Sequence, residues 1–248
     1  MALIKTPKQI QALREGGKIL ANAMAVLIDA VRPGMTTNDL DALFVKTIQQ
    51  HGAESSFLGY RGYPKSICTS INDEVVHAIP GKRVIAEGDI LSLDCGVRFK
   101  GFCTDMARTI PVGIITAEAQ KLIRITEESL RLGVQELVPD NTIGDIGAAI
   151  QTYVEAENFS VVRVLVGHGV GEDVHEEPQV PNYGQPHTGP RLAAGMVLAI
   201  EPMVNIGSAR VVFEDDGWTV RTFDGTLSAH FEDTIVITER GPEILTQQ

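Results

Sequence analysis

The sequence repeats part of its own pattern at an offset of about 106 residues, and this repeat restricts the possible folds strongly. Residues 6–31 and 117–137 carry apolar side chains at helical spacing, and each stretch precedes a second amphipathic segment. At the offset, Pro33, Thr36, Asp39, Leu40 and Ala42 correspond to Pro139, Thr142, Asp145, Ile146 and Ala148. Such a repeat predicts two halves with the same order of helix, helix and hairpin. Chance similarity between two pairs of amphipathic helices is the alternative.

Chain length and hydrophobicity favour one domain. The 248 residues are 44% hydrophobic, so a substantial core can form without disulfides, and no change in composition marks a linker. We therefore predict a single α+β domain over residues 1–248, with the internal repeat at approximately 1–112 and 113–248.

Residues 89–109 read as two β-rich runs joined by a turn at residues 98–101, and each run carries an acid, Asp94 or Asp105. If the turn lies midway between the two acids, they face each other across an antiparallel hairpin, with Cβ atoms roughly 5 Å apart. Two carboxylates this close need a proton or a cation between them. The alternative is a register shifted by one residue, in which one acid faces water.

The second half offers a matching pair of acids. An apolar run at residues 195–200 ends at Glu201, and the chain returns through residues 227–231 to Glu232. Two Asp-Gly turn signals lie between these runs, at Asp216 and Asp224. The two hairpins would bring four carboxylates to a shared interior, which is favourable only around cations.

A fifth candidate ligand is His168, which follows an apolar strand and stands between Gly167 and Gly169. The surrounding pattern is neither a dinucleotide fingerprint nor a P-loop. A satisfied core histidine is the alternative. One imidazole with four carboxylates suits Mn²⁺, Fe²⁺, Co²⁺ or Zn²⁺, and two ions roughly 3.5–4 Å apart could share these carboxylates.

Charge and cysteine content exclude several classes of protein. A net charge of −11 argues against a nucleic-acid groove and against binding to an anionic membrane surface. Three cysteines without a Cys-x-x-Cys pair argue against a disulfide framework or a thiolate zinc site. The N-terminal residues contain no long apolar run, so we expect neither a secretion signal nor a membrane span. We expect a cytoplasmic monomer.

The sequence resembles a known family, the type I methionine aminopeptidases, over nearly the whole chain. The most specific motifs are GYRGYPKSIC (59–68), NDEVVHAIP (72–80), GHGVG (167–171), HEEP (175–178) and IEPM (200–203). The resemblance implies the pita-bread fold, in which two pseudo-symmetric halves of helices on antiparallel sheet surround a dinuclear metal site. It also implies removal of the N-terminal methionine from nascent proteins and peptides with a small second residue.

The same resemblance implies a role for each candidate site residue. The implied metal ligands are Asp94, Asp105, His168, Glu201 and Glu232, with Asp105 and Glu232 bridging two divalent ions. A metal-bridging water or hydroxide would attack the peptide, and Glu201 would accept and relay its proton. The implied substrate contacts are His77 and His175 at the scissile peptide, and a methionine pocket of Phe57, Tyr60, Tyr63, Cys68, Val174 and Trp218.

Four positions depart from the family pattern. Phe57 stands where cysteine is common, and Val174 where phenylalanine is common, so the shape of the methionine pocket is open. Near Glu232, His230 and Asp233 replace the usual glutamine and histidine. Because residues i and i+2 share a face of a strand, we predict that His230 points towards the site and orients Glu232.

Two other functions fit parts of the same pattern. Prolidase and aminopeptidase P share the five ligands but resemble longer chains, and a non-catalytic pita-bread binding protein would be expected to lose ligands. The identity and occupancy of the metals, and docking on the ribosome, stay open.

Overall fold

Besides a 3₁₀ turn at Tyr60–Gly62, four α-helices lie within residues 3–247, the part of the chain that this computed structural model describes. They are α1 (Pro7–Ala30), α2 (Thr37–Gln49), α3 (Ala117–Gln135) and α4 (Ile143–Ala156). All four confirm the helical periodicity of the sequence. The α1 helix ends before the Pro33-Gly34 pair, since proline disfavours helical backbone at the residue before it.

The second helix of each half begins with the same cap. In α2 the carboxylate of Asp39 accepts a 2.8 Å hydrogen bond from the backbone N–H of Thr36. In α4 the carboxylate of Asp145 accepts a 2.8 Å bond from the N–H of Thr142. Such capping boxes satisfy amide groups that would otherwise be unpaired at a helix start. The two halves therefore repeat both the sequence and the local structure that it specifies.

Fifteen strands lie within residues 3–247, and the longest two form the first carboxylate hairpin. They are β1 (Glu54–Ser55), β2 (Ile67–Ile71), β3 (Glu74–Val76), β4 (Ile90–Phe99), β5 (Phe102–Pro111), β6 (Ser160–Val161), β7 (Gly167–Gly169), β8 (Glu176–Val180), β9 (Val197–Ile200), β10 (Met203–Asn205), β11 (Val211–Phe213), β12 (Val220–Thr222), β13 (Ser228–His230), β14 (Asp233–Thr238) and β15 (Gly241–Ile244).

The strands form antiparallel sheets in both halves. In the first half β4 pairs with β5 on one side and with β1 and β2 on the other. In the second half the order is β15-β14-β9-β7-β8. Two three-stranded sheets, β13-β10-β6 and β11-β12-β3, complete the arrangement, and the latter joins strands of both halves.

The hairpin of β4 and β5 has a different register from the one expected. Its two-residue turn is Lys100-Gly101, both with positive φ (50° and 85°), and it closes on a Phe99–Phe102 pair. Asp94 therefore pairs with Ala107, and not with Asp105, which pairs with Gly96. The turn lies one residue further along than predicted because a tight hairpin turn needs positive φ at both central positions. The acids are diagonal neighbours on one face.

The two halves meet along a seam between residues 105–109 of β5 and residues 230–234. Ala107 and Glu232 exchange backbone hydrogen bonds of 3.0 and 3.2 Å at its centre. At one end the Thr234 hydroxyl donates to the Asp105 carbonyl, and at the other the Thr109 hydroxyl donates to the His230 carbonyl. Because this seam packs the two halves into one unit, the predicted boundary between the halves at residue 112 stays a prediction.

Helices cover the sheets and form separate apolar cores. The α1 and α2 helices pack on the β4–β5 sheet around Leu27, Phe44 and Leu93, and α3 and α4 pack around Ile146 and Leu198. Each helix pair thus covers one face of the sheet in its own half. The other face of each sheet is directed towards the interior between the halves. Among the described residues, no helix is long and apolar enough to cross a bilayer.

Candidate metal centre

Strand register places the candidate acids on one sheet face. Asp94 lies opposite Ala107 in the hairpin, and Ala107 in turn lies opposite Glu232 across the seam. Directly opposed residues share a face, and so does Asp105, two residues before Ala107. Three carboxylates, from β4, from β5 and from the isolated bridge at Glu232, therefore converge above one small side chain. All three are buried.

His168 and Glu201 join this face from the second half. His168 in β7 lies opposite Ala199, two residues before Glu201, so their side chains point to the same side. The Nε2 atom of His168 lies 3.4 Å from Glu201 Oε1 and 3.9 Å from Glu232 Oε1. Donor atoms of Asp105, His168 and Glu232 lie within 4.8 Å of one another. The five predicted ligands thus meet in space.

One hydrogen bond orients the His168 ring. Its Nδ1 atom lies 3.0 Å from the backbone carbonyl of Gly169, which can only accept a hydrogen bond. Nδ1 therefore carries the proton and Nε2 presents its lone pair to the acids. Burial, with the nearby His175 ring, lowers the pKa of His168 to about 3, so the ring is neutral at pH 7.

Burial, and for three of the acids also the charge of their neighbours, raises the pKa values of the four carboxylates. Burial raises the pKa of Asp94 to about 7. For Asp105 and Glu201, burial and then the charges of neighbouring acids raise the pKa well above the ordinary carboxyl range. The same causes act on Glu232. When these four buried acids are ionised, their negative charges must be balanced by bound protons or cations.

The donors fit divalent cations. Within residues 3–247, Asp94 Oδ1 and Glu232 Oε1 are buried oxygens without a hydrogen-bond partner. Buried polar atoms are normally satisfied, so the unpartnered carboxylate oxygens in this cluster are suited to bind a cation. Oxygen-rich donors with one imidazole match the borderline divalent metals.

Two further histidines stand beside the acids. His77 follows β3 with a positive φ of 60°, a strained conformation of the kind often held at functional sites. The His175 ring lies 4.1 Å from the His168 ring, centroid to centroid, and stacks on Tyr60 at 5.1 Å. Burial lowers the pKa of both His77 and His175 to about 4. Both rings are therefore neutral at pH 7.

A cavity of about 470 Å³ has the acids on one wall and aromatic side chains with Cys68 on another, here called the apolar wall. Cys68 lies opposite Asp94 across β2 and β4, which places the apolar wall directly beside the carboxylates. Tyr63 and Trp218 pack edge to face at 4.9 Å. Twelve predicted site residues line the cavity: Phe57, Tyr60, Tyr63, Cys68, His77, Asp94, Asp105, His168, His175, Glu201, Trp218 and Glu232. Val174 instead lies in the adjoining apolar cluster with Phe57 and Tyr63.

Some residues that line the cavity were not predicted from the sequence. Arg61 and Glu176 line the cavity, and Glu176 forms a 2.6 Å ion pair with Lys5, both side chains being only 5% exposed. This pair ties the segment before α1 to the residue that follows His175. The HEEP motif contained Glu176, but nothing local in the sequence connects it to Lys5.

His230 points to the acids, as predicted. Its Nε2 atom lies 3.8 Å from Glu201 Oε2 and 3.9 Å from Glu232 Oε2. The neighbouring Asp233 turns the other way and accepts a 2.7 Å hydrogen bond from Arg108, which also donates to the backbone carbonyl of Glu232 at 2.6 Å. Arg108 therefore holds the strand that presents Glu232.

Comparison with known proteins identifies the family. The pattern of metallopeptidase family M24 matches residues 11–239. The chain belongs to this family. M24 membership means a metal-dependent hydrolase of the pita-bread fold, which confirms the predicted fold class, and it means use of a divalent metal.

Individual M24 relatives cover the chain from end to end. The methionine aminopeptidase of Clostridium perfringens is 54% identical over 246 residues, 99% of each chain. The solved methionine aminopeptidase of Thermotoga maritima has a TM-score of 0.98 at 44% identity, with all of both chains covered. The Xaa-Pro dipeptidase of Bacillus anthracis shares the fold at 23% identity and a TM-score of 0.79, and the match covers 62% of that chain. The prolidase alternative is thus the less supported one.

Proposed function

We propose that this M24 chain is a methionine aminopeptidase that removes the N-terminal methionine from peptides and nascent proteins with a small second residue. One observation carries the proposal: the apolar wall of the cavity adjoins the acid cluster through the paired Cys68 and Asp94. A thioether side chain fits a pocket of aromatic rings and a thiol, since sulfur packs well against ring edges. The methionine side chain would then place its own peptide bond at the acids.

We infer that the centre holds two divalent ions, drawn from Mn²⁺, Fe²⁺, Co²⁺ and Zn²⁺. Asp94, Asp105, His168, Glu201 and Glu232 would bind them. Bound ions of this kind lower the pKa of water and polarise a carbonyl group. The chain supplies the positioning and the proton transfers.

Glu201 is the proposed proton carrier. Its carboxylate lies among the other proposed ligands, 3.4 Å from His168 Nε2, so it stands where it could accept a proton from the attacking water and pass it to the departing amine. His77 and His175 are the proposed partners of the scissile peptide. Each neutral ring has one N–H to donate and one lone pair to accept, which suits the carbonyl and the N–H of a peptide bond.

The preference for a small second residue is proposed from crowding beside the acids. The rings of His175, His168 and Tyr60 pack against one another at the site. A bulky side chain just after the scissile bond would displace them. We place the reaction in the cytoplasm, because Cys68, Cys95 and Cys103 carry free thiols. A monomer suffices, since one chain supplies all the proposed ligands.

Peptide hydrolysis tests the proposal. Protein loaded in turn with Mn²⁺, Fe²⁺, Co²⁺ and Zn²⁺ is assayed on Met-Ala-Ser, Met-Lys-Ser, Ala-Pro-Ser and the dipeptide Ala-Pro. We expect cleavage of Met-Ala-Ser at a kcat/KM at least about tenfold above the others. Equal cleavage of Met-Ala-Ser and Met-Lys-Ser would refute the size preference, and faster cleavage of the Pro peptides would favour the prolidase function. Metal analysis of the active samples gives the number of ions, and sedimentation with ribosomes tests docking.

A further inference from the structure

His230 is held rigidly beside the proposed metal centre. It ends β13, two residues before Glu232, and is only 2% exposed. Its backbone N–H donates a 2.8 Å hydrogen bond to the Thr109 hydroxyl, which donates a 2.9 Å bond to the His230 carbonyl. The seam between the two halves therefore fixes where this ring stands.

The ring has no hydrogen bond of its own within the described residues. Both Nδ1 and Nε2 of His230 are buried without a partner. The distances of 3.8 Å to Glu201 and 3.9 Å to Glu232 exceed hydrogen-bond length. An imidazole buried in this way is costly unless something else binds a nitrogen.

The same distances suit two atoms that bind one cation. Nitrogen and oxygen donors lie about 2.0–2.2 Å from a bound metal ion, so two donors to one ion stand no more than roughly 4.3 Å apart. The pair of His168 Nε2 and Glu201 Oε1, at 3.4 Å, obeys this limit. So do the pairs of His230 Nε2 with Glu201 Oε2 and with Glu232 Oε2. His168 faces the Oε1 atoms of these two glutamates, and His230 faces their Oε2 atoms.

We propose that His230 is a sixth protein ligand of the metal centre, binding through Nε2 on the side of Glu201 and Glu232 opposite His168. This rests on the metal centre proposed above and deepens it. The donor set then contains two imidazoles and four carboxylates. A second nitrogen donor shifts the preference of the site away from Mn²⁺ and towards Co²⁺ and Zn²⁺, since imidazole binds the later divalent metals more strongly.

Nitrogen NMR tests the proposal on the unaltered protein. The six histidines are labelled with ¹⁵N, and metal-free protein is titrated with Zn²⁺ while the ring nitrogens are observed. We expect two rings to show metal-bound Nε2, His168 and His230. Binding by His168 alone, with His230 still showing a free or hydrogen-bonded ring, would overturn the proposal in favour of an orienting role. This readout does not depend on catalysis.

Variants assign the signals and measure the affinity. His230→Gln should remove one metal-bound signal, weaken Zn²⁺ binding by at least about tenfold and weaken Mn²⁺ binding less, because imidazole favours Zn²⁺. His187→Gln, at a side chain 89% exposed, is the matched control and should change neither. An unchanged ratio of Zn²⁺ to Mn²⁺ affinity in His230→Gln would contradict the proposal. Hydrolysis of Met-Ala-Ser by the same samples is scored separately, so failure of the proposed function and failure of this inference are distinguishable.

Discussion

Asp94 and Glu232 flank the same residue, Ala107, on one face of a sheet that the two halves of the chain build together. The small methyl group of Ala107 leaves room above it for the carboxylates. A larger side chain here would enter the space in which we place the metal ions.

Ala107→Leu should therefore abolish metal binding and peptidase activity. Overpacking should also destabilise the fold by about 1–3 kcal/mol. Calorimetric metal titration and thermal melting measure the two effects. Ala117→Leu, at the exposed first residue of α3, is the control and should retain both properties. Normal metal affinity in Ala107→Leu would contradict the position assigned to the site.

Asp105→Asn should lower activity at least about 100-fold and weaken metal binding, because it removes a proposed metal-binding carboxylate. The same change should stabilise the metal-free protein, since Asp94 and Asp105 repel each other when charged. Chemical denaturation with EDTA and with saturating metal tests both signs. A variant that keeps parental metal affinity would show that Asp105 is not a ligand.

The metal-free protein should lose stability as pH rises above about 6.5. Burial raises the pKa of Asp94 from 3.8 to about 7, so the folded protein keeps a proton that the unfolded chain releases. The pKa values of Asp105, Glu201 and Glu232 are raised in the same direction. When the native state binds more protons, the free energy of unfolding falls with pH. Below about pH 6.5 the buried histidines oppose this trend, because their lowered pKa values keep them neutral in the folded protein while the unfolded chain protonates them. Melting temperatures in EDTA between pH 6.5 and 8 test the trend. Asp94→Asn should make it shallower, and a melting temperature that stays level or rises in the parent would disprove it.

Lys5→Met should cost about 3–5 kcal/mol, because it removes the cation that pairs with the buried Glu176 carboxylate and leaves it only the 3.2 Å hydrogen bond from the Asp173 N–H. Activity should also fall, since Glu176 adjoins His175. The double variant Lys5→Met with Glu176→Gln should recover much of the lost stability, because no buried charge is left uncompensated. A double variant less stable than the single one would argue against this coupling.

Gly96→Ala should raise KM for Met-Ala-Ser several-fold with a smaller effect on kcat. A Cβ atom at Gly96 would stand 2.5 Å from the Phe57 ring and 2.1 Å from the Ser56 hydroxyl, so Phe57 must move in the proposed methionine pocket. Gly16→Ala in α1, where the nearest atom is 3.5 Å away, is the matched control and should leave KM unchanged. Steady-state kinetics of both variants on Met-Ala-Ser measures KM and kcat. An unchanged KM for Gly96→Ala would exclude Phe57 from the proposed methionine pocket.

Much of the architecture could be predicted from short stretches of chain. The helix starts at Thr36 and Thr142 are specified locally, because a capping box needs only four consecutive residues, and both residues belong to the repeat found in the sequence. The acids Asp94 and Glu201 could be recognised as candidates because each ends or interrupts an apolar run. These signals are local, so one sequence carries them without reference to distant residues.

The register of the first hairpin depended on its turn. The acids were expected to face each other, but Lys100 and Gly101 form the two central positions of the turn and shift the pairing so that Asp94 faces Ala107. The pairing partner of Asp94 is shifted by two residues, from 105 to 107. A shift of two keeps both acids on one face, so the predicted cluster of acids still forms although the predicted pairing was wrong.

The convergence of the site came from contacts between distant segments. No short stretch of sequence predicts the seam, where Asp105 contacts Thr234 and Thr109 contacts His230. The same holds for the ion pair of Lys5 with Glu176. Side-chain periodicity predicts which residues share a face of one strand. It does not predict which strands become neighbours. Strand neighbours depend on the whole chain, because the helix pairs of both halves must be buried and all backbone hydrogen bonds satisfied at the same time.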